Sequence, residues 1–213
     1  MSDAGLSLIE KHLSDSAHVQ RAFFQRQGQK LCSVALRMAA CLATEGKLLL
    51  CGYGNGGILA QCLASEFVAR QTVDHPPLPV IALMADTAAS GTEAKKAGQA
   101  LCRQVAVFGR KGDMLLAFFP SGSNAGIAAA LQTARQKGMG TVGLTSEDDT
   151  AVATHCDTVL EVPDVGTSLV QEVHVAAGHL LYRLTDYYLF ENAAVLLNHL
   201  RNPHEKRIDD AHL

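Results

Sequence analysis

The residues most suited to chemistry are those of two glycine-rich turns. Gly52-Tyr53-Gly54-Asn55-Gly56-Gly57 follows an apolar run, Leu48 to Cys51, and leads into a helix-like segment, Ile58 to Arg70. The pattern recurs: Met114 to Phe119 runs into Pro120-Ser121-Gly122-Ser123-Asn124 and then into the Ala-rich stretch Ala125 to Lys137. Strand–loop–helix units with small residues in the turn present a helix N-terminus, whose backbone N–H groups and dipole bind an anion. Two such termini turned toward one ligand predict a phosphorylated small molecule.

The elements that must carry these turns are legible as alternating patterns. Short apolar runs at 47–52, 79–83, 114–119, 140–144 and 157–162 predict strands, and helical segments fall at 58–70, about 94–107, 125–137 and 149–154. Buried strands alternating with helices predict an α/β fold with a parallel sheet covered on both faces. Ligands then bind beyond the carboxyl ends of the strands, at a topological switch point. Residues 5–45 read as two helices, the first with Leu6, Ile9, Leu13 and Val19 to Phe23 on its stripe, the second with Leu31 to Leu42. Glu45-Gly46 ends the second, with Gly46 in the left-handed position. Ser168 to Phe190 reads as a long helix, with Thr167 or Ser168 as N-cap and Glu172 in its first turn. Residues 191–200 continue as a further helix. The apolar faces of 5–45 and 168–190 exceed what one small sheet covers, which predicts a helical interface in a homo-oligomer, a tetramer.

Composition narrows the partners. The 213 residues are 48% hydrophobic with a net charge of -3 and no Trp, which suits one domain with an aliphatic core. No basic block interleaved with aromatics appears, so direct nucleic-acid binding is not expected. No run is long enough to span a bilayer, and Met1 to Glu10 lacks the pattern of a signal peptide. The six cysteines form no C-x-x-C pair; most sit within apolar segments, where Cys behaves as a small hydrophobe, and reduced thiols suit a cytoplasmic protein. Residues 201–213 form a polar tail.

Gly54-Asn55-Gly56-Gly57, Ala85-Asp86-Thr87, Gly112-Asp113-Met114-Leu115-Leu116, Ser121-Gly122 and Gln171-Glu172-Val173-His174, in this order and spacing, resemble the sugar isomerase (SIS) family. The similarity is to its phosphoheptose isomerase branch, which shares its fold with the DnaA initiator-associating protein DiaA. The resemblance implies a single domain over 1–200, a three-layer sandwich with a five-stranded parallel sheet. Residues 1–45 would be oligomerisation helices, 46–165 the core and 167–200 C-terminal helices. It implies aldose–ketose isomerisation of a sedoheptulose phosphate through an enediol, with a zinc ion beside the substrate and active sites at subunit interfaces.

The same resemblance assigns residues. Glu66 matches the catalytic carboxylate, which removes a proton next to a carbonyl, and His179 the partner acid. Asn55, Gly56, Gly57, Ser121, Ser123, Asn124 and Gln171 would hold the substrate. Cys62 stands where the isomerases have histidine, one turn before Glu66. Cys62, Glu66, Gln171 and His179 are therefore the implied metal ligands, with thiolate a good zinc donor. Gln171 and His179 are eight residues apart, slightly over two turns, which separates them by roughly 12 Å along the axis. His174 points about 60° from Gln171 and is left outside the set. Ile58 and the Phe119-Pro120 pair depart from the hydroxyl-rich phosphate loops of the isomerases, and residues 88–94 lack their Asn-Asp pair. These departures define the alternative: a non-catalytic phosphosugar sensor, or a tetrameric adaptor for a protein partner.

Overall fold

The apolar runs form five strands: β1 (Leu48–Gly52), β2 (Val80–Leu83), β3 (Met114–Phe119), β4 (Gly140–Ser146) and β5 (Thr158–Val162). All pair in parallel, in the order β2-β1-β3-β4-β5. The structure is a computed structural model describing residues 3–69, 76–83, 92–119, 125–147, 154–163 and 165–202, with the backbone alone for residues 3 and 92–97. Ser121, Ser123, Asn124, the segment 84–91, the expected helix at 149–154 except Thr154, and the tail from Pro203 lie outside the described residues.

β1 and β3 are buried at every position, so each reads as an unbroken apolar run. Their side chains still divide by parity. Leu48, Leu50, Leu116 and Phe118 enter one core, and Leu49, Cys51, Leu115 and Ala117 the other. The first core is closed by α1 (Asp3–Ala43), α2 (Asn55–Ala69) and α5 (Thr167–Asp186) through Phe23, Met38, Phe67, Val173 and Ala177. The second is closed by α3 (Thr92–Phe108) and α4 (Ala125–Gln136) through Leu101, Val105, Ile127 and Leu131. The chain reverses its strand order between β1 and β3, and the first glycine turn leaves β1 at that switch point.

Four expectations are corrected. The two N-terminal helices are one, because Val19, Phe23, Gln27, Leu31, Val34, Met38 and Cys41 are buried at steps of three or four. The polar stretch between the two stripes does not break it, since Gln27 takes a core position, Gly28 meets open space, and no proline occurs to stop the helix. At its end Glu45, not Gly46, takes the positive φ, at 62°. Gly46 lies one residue on, where a side chain would have no room: a Cβ would stand 2.7 Å from Cys41 Sγ and 3.1 Å from Gly112 O.

α5 begins at Thr167 after Gly166, without a side-chain cap. Thr167 and Ser168 are therefore not the N-cap, and Glu172 falls in the second turn. The helical run does reach past Phe190, though not as α-helix throughout. It passes at Tyr187–Glu191 into a π turn, before α6 (Ala193–Arg201).

Candidate active site

The first glycine turn is shaped by closeness. Gly54 takes φ 55°, which glycine adopts without a steric penalty. A Cβ on Gly56 would lie 2.1 Å from Phe118 O, so only glycine lets α2 start against β3. The helix begins at Asn55, three residues earlier than expected, and includes Gly56 and Gly57 in its first turn. Those two glycines are buried, and their N–H groups donate to Tyr53 O and Gly54 O, each at 3.0 Å. Asn55 is exposed at the helix start, and its Nδ2 donates to Gln171 Oε1 at 2.9 Å. What this turn offers an anion is therefore the helix dipole and the Asn55 side chain.

From that hydrogen bond, α2 and α5 run side by side in the same direction. Leu63 packs where Gly178 has no side chain, and a Cβ there would lie 2.6 Å from Leu63 Cδ1. Phe67 and Tyr182 meet edge to face, with centroids 5.0 Å apart. Between these contacts, His179 Nε2 stands 3.1 Å from Glu66 Oε1. The two residues assigned as an acid–base pair are thus brought together within one chain. Glu66 is the more enclosed, with 17% of its side chain exposed against 49% for His179. Glu66 Oε2 is buried and has no hydrogen-bond partner among the described residues. A carboxylate with one oxygen on an imidazole and the other unserved is equipped to take a proton from a bound molecule and pass one on.

The other assigned residues fall out differently. Cys62 is exposed, one turn before Glu66. His174 is buried, and desolvation pushes its pKa down to about 4, which fits its exclusion from the site. Cys41 and Cys51 are buried and pushed up to about 12, chiefly by desolvation, as expected of inert core thiols.

The donors fit a metal only in part. Glu66 and His179 face one another, but Gln171 Oε1 is engaged by Asn55. Among the described residues, no group of three or more His, Cys, Asp or Glu side chains could hold a metal ion. A structural zinc site takes four ligands and a catalytic one three plus water, a set that the described side chains do not assemble.

The sequence reading missed the cluster beside Gln171. Glu172 Oε1 lies 2.9 Å from His12 Nε2, and Ser16 Oγ donates to Glu172 Oε2 at 2.5 Å. Nothing local signals a contact across some 160 residues. Gly178 did carry a signal, since an isolated glycine inside a helical pattern often marks close packing.

Comparison with known proteins places this geometry. The SIS domain model matches residues 11–146. The chain is 46% identical over 202 residues to a phosphoheptose isomerase of Desulfovibrio desulfuricans, covering 94% of this chain and 96% of that one. Among solved structures, a phosphoheptose isomerase from Francisella tularensis superposes with a TM-score of 0.77 at 28% identity, over 87% of this chain and 99% of that chain. Another, from Neisseria gonorrhoeae, gives 0.75 at 26% identity, over 85% and 98%.

Proposed function

The chain belongs to the SIS-domain family, and we propose that it is a phosphosugar aldose–ketose isomerase of the phosphoheptose isomerase type. The observation that carries this reading is the contact of Glu66 with His179 across the α2–α5 seam. The substrate is a sedoheptulose phosphate, as the relatives' shared name suggests. Glu66 takes a proton from the carbon next to the carbonyl. His179 serves the oxygens, moving a proton from hydroxyl to carbonyl as the enediol forms and collapses. Glu66 returns its proton to the neighbouring carbon, so the product is an aldose phosphate with the same atoms.

Asn55 and the start of α2 hold the phosphate, together with Ser121, Ser123 and Asn124 of the second turn. Zinc is implied by the family resemblance alone: Glu66 and His179 would be its first donors and Cys62 a further one, while Gln171 would join only by giving up its bond to Asn55.

The reading includes self-association. Leu6, Ile9 and Leu13 are 57 to 65% exposed on the first turns of α1, at the spacing of one helical stripe. A second copy of this chain would cover them, in the tetramer expected from the sequence. As for membranes, no helix among the described residues is long and apolar enough to cross one.

The deciding experiment is conversion of sedoheptulose 7-phosphate by the purified protein, followed by chromatographic detection of the aldose phosphate. Product formation is expected, and a protein that binds the sugar phosphate without converting it contradicts the reading.

A further inference from the structure

The start of α5 is held by its side chains rather than by a cap. Gly166 precedes it at φ 101°, and no side-chain cap bond serves the first turn. Val170 and Val173 are buried against the core, which seats one face of the helix. Its rotation is set by two adjacent polar residues, because successive residues point 100° apart. Gln171 turns toward α2 and accepts from Asn55. Glu172 turns toward α1, meeting His12 with one oxygen and Ser16 with the other. Ser16 Oγ in turn accepts from Gln20 Nε2 at 3.1 Å. Residues 4–14 of α1 are exposed at every position within the protomer, and this carboxylate ties that arm to the helix beside the first glycine turn.

We propose that Glu172 is a positioning residue for substrate binding. It fixes the first turns of α5 against α1, so that Gln171 holds Asn55 where the phosphate meets α2. The inference rests on the isomerase reading in that Asn55 is taken to touch the substrate. The His12 and Glu172 side chains are 52% and 36% exposed, and an ion pair so placed adds little stability. The hydrogen bond from Ser16 to a charged oxygen is the stronger contact. Its loss should therefore appear in placement of the phosphate and as a fall of a few degrees in Tm.

The test compares Glu172→Ala and Glu172→Gln with Asp15→Asn, a control on the same arm whose partner is Lys11. KM and kcat are measured with sedoheptulose 7-phosphate, Kd with inorganic phosphate by calorimetry, and Tm and mass in parallel. For Glu172→Ala the expected result is a rise of about tenfold in both KM and phosphate Kd, the worth of a hydrogen bond to a charged group. Expected too are a kcat within about twofold of wild type, an unchanged mass and a Tm lower by a few degrees. Glu172→Gln, which keeps an acceptor for Ser16, recovers most of the affinity, and Asp15→Asn matches wild type. Adding Glu172→Ala to Asn55→Ala raises KM no further, because both changes act through one contact.

Wild-type KM and phosphate Kd in Glu172→Ala overturn the proposal. So does a joint fall of kcat, affinity and Tm that Gln does not rescue, since that marks a purely structural residue. Should the wild-type protein bind phosphate without turnover, the isomerase reading fails, and the phosphate titrations alone decide the role of Glu172. A wild-type protein that binds no phosphate overturns it as well.

Discussion

Two enclosed carboxylates in this molecule each face a basic side chain, and they are finished differently. Asp113, at the entry to β3, has both oxygens occupied. Oδ1 accepts from Lys47 N at 3.0 Å, and Oδ2 accepts from Lys47 Nζ at 2.5 Å and from Arg110 N at 2.8 Å. Glu66, at the seam of α2 and α5, uses Oε1 on His179 and leaves Oε2 buried without a partner among the described residues. A saturated carboxylate locks strands together and has nothing left to offer. An unsaturated one lowers stability by the desolvation of the idle oxygen and keeps that oxygen for a proton. The contrast separates a carboxylate that builds the fold from the one proposed to act.

The sharpest way to break this contrast is to change each carboxylate and read both rate and stability. Glu66→Gln should cut kcat by about 10³-fold, within the range a general base contributes, while the denaturation midpoint stays level or rises. A variant that keeps its rate would remove Glu66 from the chemistry and return the seam to ordinary packing.

Asp113→Ala should do the reverse. It strands the Lys47 ammonium, 21% exposed, and two backbone N–H groups, at a cost of about 3 kcal/mol, the lower end for a broken buried pair. Urea denaturation reads that loss, and kcat per folded molecule should stay within about twofold, since the site is not touched. An Asp113 variant as stable as wild type would mean that saturation of its oxygens contributes nothing.

How much of this was legible follows from the same physics. The strands were, because a strand buried on both faces is a short apolar run closed by turns; Met114 to Phe119 needs no context to be read. The first anion turn was visible for the same reason, although its helix starts inside the glycines rather than after them. α1 was misread because Gln27, a polar residue, occupies a core position, and polarity cannot report burial. The seam was half legible. The resemblance named Glu66 and His179, but only Gly178 hints at how closely the two helices approach. Glu172 lay beyond the reach of sequence, since its partners His12 and Ser16 are neighbours only after folding.

The smallest expected effect sharpens the comparison with a third ionisable group. His174 lies on α5 between Gln171 and His179, and it is 1% exposed. Desolvation pushes its imidazole from 6.5 down to about 4, with the Thr145 backbone pulling the other way. Asp113 is buried with its oxygens saturated, whereas His174 survives burial by giving its charge up. The folded pKa is below the unfolded one, so the unfolded chain binds more protons between the two values. Stability is therefore complete above pH 6.5 and falls as pH drops toward 4. By pH 5 the loss from this one group is ~2 kcal/mol. Urea denaturation at pH 7 and pH 5 measures it, with His174→Asn as the reference that cancels the other titrating groups. The wild-type protein should lose that much more than the variant. An equal loss in both would mean that the imidazole is solvated in the folded protein. α5 would then not be seated on the sheet as described, and the contacts of Gln171 with Asn55 and of His179 with Glu66, which depend on that seating, would lose their support.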